Sequence, residues 1–217
     1  MKKALALCVV AFAPLLHCAH ANPVSSDSLD AGSLPEAGIT DDAGDFNADT
    51  PLPADDTECA ETNKQIYVLA TDLGLYRFYP DKLTFEHVGE TACATRAGTF
   101  SMAIDRRGTA WVEFTDGRLF AVDTNTGHCR TTAFQPGQTG FETFGMGYSI
   151  NDDGKGETLY IAGAGLGSLD TKTFDIHFLG SLTYARTELT GLDKELYAYS
   201  VESGVIAGLD KNTGATK

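Results

Sequence analysis

Positive charge is scarce in this sequence. Its 217 residues hold 16 lysines and arginines against 30 aspartates and glutamates, a formal net charge of −14. The basic residues are thinly scattered and form no extended patch, which argues against a nucleic-acid partner. Long apolar runs are missing beyond the first residues, so no segment of the body can span a bilayer as a helix. There is no Cys-x-x-Cys pair, Gly-x-Ser-x-Gly elbow, His-Glu-x-x-His or Walker loop. The usual sequence marks of zinc centres, serine hydrolases, metalloproteases and nucleotide binding are therefore absent.

What is present begins with an address. Lys2 and Lys3 precede an apolar run over 4–16, and Ala19-His20-Ala21 supplies a small-x-small pattern. This is the layout of a secretory signal peptide, residues 1–21, cleaved after Ala21. The alternative is lipoprotein processing, with Cys18 as the acylated residue. His17 speaks against it, because a small residue is favoured before the cysteine. Either route takes the chain out of the cytoplasm, to the periplasm, cell surface or exterior, with an outer-membrane lipid anchor as the alternative.

Residues 22–58 hold eight Asp, two Glu and no Lys or Arg. With four prolines and few large apolar side chains, the segment cannot offset the entropy of ordering its backbone. It reads as a disordered, self-repelling linker. It lacks the alternating aspartates of a helical calcium loop.

From residue 59 onward a unit recurs. "PDKLTF", "VDTNTG", "LDTKTF" and "LDKNTG" place Asp81, Asp123, Asp170 and Asp210 three residues before a threonine, at spacings of 42, 47 and 40. The carboxylate can accept from backbone N–H groups just ahead of it and close a turn. Gly127 and Gly214 can adopt the positive φ that such a turn needs. Phe85 and Phe174 cannot do so cheaply, so those two turns are expected to differ. Upstream of each Asp lies a short strand with an aromatic: Tyr67, Trp111, Tyr160 and Tyr197. Before the last three of these runs a further candidate strand, "SMAID", "GYSIN" or "ELTGL".

Some four short strands per 40–47 residues is the signature of a propeller blade. The expected fold is all-β: about three and a half four-stranded antiparallel blades in an open arc over 59–217. The aromatics would fill the space between blades. A sandwich is the competing fold, but it does not call for a turn motif at blade spacing.

The Asp-x-x-Thr-Gly turn after a short strand resembles the repeats of quinoprotein-like and related bacterial propellers. "FSMAIDRRGTAWV", "GFETFGMGYSI", "ETLYIAG" and "RTELTG" are also similar to uncharacterised secreted or lipid-anchored bacterial propeller proteins, which often carry an acidic Asp-Ala-Gly-rich spacer. The resemblance covers roughly 60–217. It implies a fold and an export route, and no activity. Since propellers close with about four to eight blades, the sequence reads as part of a longer ring, or as one that closes by dimerising.

Outside the leader there are three cysteines: Cys59, Cys93 and Cys129. In an oxidising compartment this predicts one bridge and one cysteine left over. Cys59–Cys93 would pin the linker to the first blade, and Cys93–Cys129 is the alternative. His87, His128 and His177 fall on expected outer strands, too far apart to share a metal. Asp152, Asp153 and Glu157 read as a tight turn before they read as a glycosidase pair. The longest connection, residues 133–147, carries Phe141 and Phe144 among glycines and is the one stretch with binding character. The other reading of these two is burial against the blade edge. No cofactor or metal is expected.

Two functions stay open: an exported binding or scaffold protein for an unidentified protein or small-molecule ligand, and a propeller enzyme of the quinone-dependent dehydrogenase or metal-dependent lactonase type. The enzyme would need ligating groups at the starts of the innermost strands. Those strands offer Ser101, Met102, Asp105, Asn151, Glu188 and Thr190, which is not a convincing metal set.

Overall fold

The computed structural model describes residues 9–11 and 65–217. Its strands form four antiparallel sheets, none closed on itself. The first contains β1 (Val9–Ala11), β2 (Ile66–Leu69), β3 (Gly74–Tyr79) and β4 (Thr84–Glu90). The second contains β5 (Thr99–Ile104), β6 (Thr109–Phe114), β7 (Leu119–Asp123) and β8 (Cys129–Thr131). The third contains β9 (Gly145–Ile150), β10 (Glu157–Ala162), β11 (Leu166–Leu169) and β12 (Ile176–Gly180). The fourth has three strands, β13 (Thr187–Leu192), β14 (Glu195–Ser200) and β15 (Ile206–Leu209). Strands follow chain order within every sheet, and the first strands β1, β5, β9 and β13 neighbour one another in succession. These are propeller blades, with the first strand innermost. Among the described residues, no helix is long and apolar enough to cross a membrane.

Sheets two and three bury both faces, so their central strands are apolar on both sides. In β6, Ala110, Val112 and Phe114 face back to the first sheet, where they meet Tyr67, Leu69 and Leu75. Trp111 faces forward to the third sheet, onto Met146, Leu159 and Ile161. Tyr160 and Ala162 face forward again, onto Leu189, Leu196 and Ala198. Three apolar layers thus alternate with four sheets. Tyr67, Trp111 and Tyr160 are buried, each on the second strand of its sheet and each contributing about 1.5–3 kcal/mol. Tyr197 holds the same place on β14, where its forward side meets no further sheet and it is half-buried.

The turns are built as the aspartates suggest. Asp123 Oδ1 accepts from the N–H groups of Asn125 (2.7 Å) and Thr126 (3.0 Å), and Gly127 N–H donates to Asp123 O. Asp170 and Asp210 repeat the arrangement. The expectation that Phe174 would break the pattern is overturned: it adopts φ 63° and makes the same closing bond as Gly127. Its ring stacks edge-on against Trp111 at 6.2 Å, so apolar contact offsets the cost of a left-handed backbone. The first turn does differ. There Leu83 takes the positive φ, and Phe85 lies inside β4 opposite Phe78.

The disulfide joins Cys93 to Cys129, with Cα atoms 5.0 Å apart, and not to Cys59 as expected. Cys93 follows the outer strand of the first sheet and Cys129 opens that of the second, so the bridge ties neighbouring blades at their rim. Cys59, Cys18, the cleavage site and the acidic linker lie outside the described residues.

Candidate functional site

The starts of the inner strands converge on the first residues of β9. Three side chains from two other sheets reach this backbone. Glu113 Oε2, from β6, accepts from Phe144 N–H at 2.9 Å. Ser101 Oγ, from β5, accepts from Met146 N–H at 3.0 Å and donates to Glu188 Oε2 of β13 at 2.9 Å. Gly145 lies between them. A Cβ there would run into Thr187 O and come within 3.0 Å of Glu188 Oε2, so only glycine lets β13 approach. Ser101 and Glu113 are cross-strand partners, which fixes them side by side.

Two carboxyls thus share one site, and no ion pair to either occurs among the described residues. Glu113 is fully buried, and its Oε1 has no hydrogen-bond partner. Burial, with some repulsion from Glu188 and Asp116 and against the Phe144 hydrogen bond, pushes its pKa up to about 9. Burial likewise raises Glu188 to about 7, opposed by the bonds from Ser101 and Met146. Glu113 is therefore a neutral acid at physiological pH, while Glu188 titrates there.

A second carboxyl group sits at the other end of the same strands. Glu157 Oε1 accepts from Arg106 N–H at 2.6 Å and Oε2 lies 3.7 Å from Arg106 Nε. Burial raises Glu157 to about 7. Asp105, raised by burial, accepts from Arg107 and Thr109 N–H groups and from Trp111 Nε1 at 3.1 Å, which fixes the indole. Sheets two and three are joined by carboxyls at both ends.

The residues singled out from sequence fare differently. Ser101 and Glu188 are brought together, and Glu113 joins them unforeseen. A signal existed: in "TAWVEF" Glu113 is two residues after Trp111 and so on the same buried side. Asn151 instead closes its own turn through Thr158 and Lys155 O. Asp152 pairs with Lys211 and Asp153 caps Lys155 N–H, while Glu157 points to the neighbouring sheet, so no carboxylate pair forms there. Phe141 and Phe144 are corrected: they are 0% and 1% exposed, in ring contact at 6.2 Å within the layer between sheets two and three. They are core and offer nothing to a ligand. His87 and His177 lie on the outer strands β4 and β12, and His128 immediately precedes β8. No cluster of three or more metal-ligating side chains occurs among the described residues.

No family model matches the chain, and no curated protein matches it. Solved structures with related shapes include a structural-genomics protein of unknown function from Bacteroides thetaiotaomicron (9% identity, 68% of this chain and 56% of that one, TM-score 0.40). Another is the Dos1 propeller (16% identity, 70% of this chain and 43% of that one, TM-score 0.43). A third is the extracellular domain of the putative hybrid two-component system BT4673 from B. thetaiotaomicron (19% identity, 65% of this chain and 19% of that one, TM-score 0.38). The chain spans little more than half of the first of these and less of the others. Likeness at this level says nothing of activity.

Proposed function

We propose that the protein is an exported, non-catalytic propeller module that binds or scaffolds another molecule outside the cytoplasm. The observation that carries this lies at the inner-strand starts, where a catalytic propeller would gather its ligating groups. There Glu113 Oε2 accepts from Phe144 N–H, and Ser101 Oγ accepts from Met146 N–H and donates to Glu188 Oε2, so these groups join neighbouring blades. Loops held on such a rigid scaffold suit recognition of another molecule. The leader and acidic linker supply the export route.

The rival reading is a quinone- or metal-dependent propeller enzyme. Cell fractionation followed by thermal melting of the exported protein with calcium or pyrroloquinoline quinone separates the two. A module of the proposed kind is found outside the cytoplasm and melts unchanged with either. A ligand at about 100 times its Kd would raise Tm by roughly 5–10 °C. Such a rise with either compound, or retention in the cytoplasm, overturns the proposal.

A further inference from the structure

The innermost strand of the first sheet is not local. In sheets two to four the inner strand is joined to the second by short turns, residues 105–108, 151–156 and 193–194. In the first sheet the corresponding connection is the whole stretch 12–65. β1 nevertheless occupies the inner place, antiparallel to β2, with Val9 opposite Leu69, Val10 opposite Val68 and Ala11 opposite Tyr67, and it neighbours β5 as the other inner strands neighbour one another. It comes from the apolar run that reads as the core of a cleavable leader.

We propose that the inner edge of β2 is a strand-accepting slot, filled by the leader's Val9–Ala11 before processing and opened by cleavage to an apolar strand donated by a partner polypeptide. The inference rests on the export reading above. Once the leader has gone, Ile66–Leu69 presents a row of backbone N–H and C=O groups beside β5. Left unpaired, such an edge is a template for another strand. The residual sheet, β2 to β4, keeps its own pairing, so the slot persists. The donor it fits is extended and apolar, at least three residues long, and runs antiparallel to β2. Backbone hydrogen bonds would supply much of its affinity, as in other cases of strand addition. Donation in trans is feasible because the natural occupant is held by a long connection and not by a hairpin.

The test uses the exported protein as the cell produces it. Its intact mass first establishes whether residues 1–21 have been removed. A synthetic peptide of residues 6–13, ALCVVAFA with Cys8→Ser, is then added, and amide hydrogen exchange is followed over Ile66–Leu69. A second peptide carries an N-methyl group at Val9, opposite Leu69, which removes a backbone donor to β2 without changing the side chains. With the leader gone, the first peptide is expected to slow exchange at Ile66–Leu69 by up to about 100-fold at 100 times its Kd. The N-methylated peptide should protect far less. If the leader is gone and the first peptide gives no protection, or both protect equally, the slot proposal falls while export stands. If the mass shows the leader retained, cleavage does not open the slot and the slot proposal falls, while export is decided separately by the cell fractionation.

Discussion

A carboxyl buried without a counter-charge makes stability depend on pH. Glu113, raised to about 9 in the fold, binds a proton that the unfolded chain releases near the ordinary value of 4.5. Its contribution is complete below 4.5 and declines as pH climbs towards 9, by up to about 1.4 kcal/mol per unit. Glu188 adds to the decline between 4.5 and about 7. The protein should therefore melt higher at pH 5 than at pH 8. Glu113→Gln keeps the shape and cannot ionise, so it should flatten that slope and raise Tm at pH 8 while changing little at pH 5. Melting curves at three pH values decide this. Phe174 offers a second residue-scale check. With φ at 63°, Phe174→Gly should be less destabilising than Phe174→Ala, by about 1 kcal/mol, because alanine loses the Trp111 contact and keeps the strained backbone. Urea titration of the two variants measures the difference.

At the scale of elements, the turn of one blade docks on the outer strand of the blade before it, and glycine makes room. A Cβ at Gly89 in β4 would lie 2.5 Å from Thr126 O in the turn of the second sheet, and one at Gly180 in β12 would collide with Thr213 O in the turn of the fourth. Gly180→Ala should cost about 1–3 kcal/mol or more by forcing those elements apart. Gly98→Ala, in open space, is the control. The bridge between Cys93 and Cys129 ties the first two outer strands at the same rim. Cys129→Ser should cost about 3–4 kcal/mol by the chain-entropy account, read from thermal melts of the variant and the parent protein. Much of this level was legible in the sequence. Three of the four Asp-x-x-Thr turns and every second-strand aromatic stand where period and spacing put them, because turn closure and alternation are local. The choice of Cys129 over Cys59 as the disulfide partner, the choice of burial over binding for Phe141 and Phe144, and the role of Glu113 were not settled there. Each depends on which strands of different sheets lie side by side, and spacing along the chain does not encode that.

On the scale of the molecule, four sheets stand as successive blades and the joints between them hold the structure. The apolar layers mix aromatic and aliphatic side chains of facing sheets, and carboxyls staple sheets two and three at both ends. The single tryptophan, Trp111, lies in the middle layer, 6% exposed, with its indole N–H bound to Asp105. Its fluorescence therefore reports on a joint between blades and on nothing else. If the sheets pack as described, native emission is blue-shifted and resists acrylamide quenching, and both properties are lost in one transition that coincides with loss of the far-ultraviolet β-sheet signal. Emission typical of water-exposed indole in the native protein, or a fluorescence transition that precedes loss of the sheets, would contradict the account.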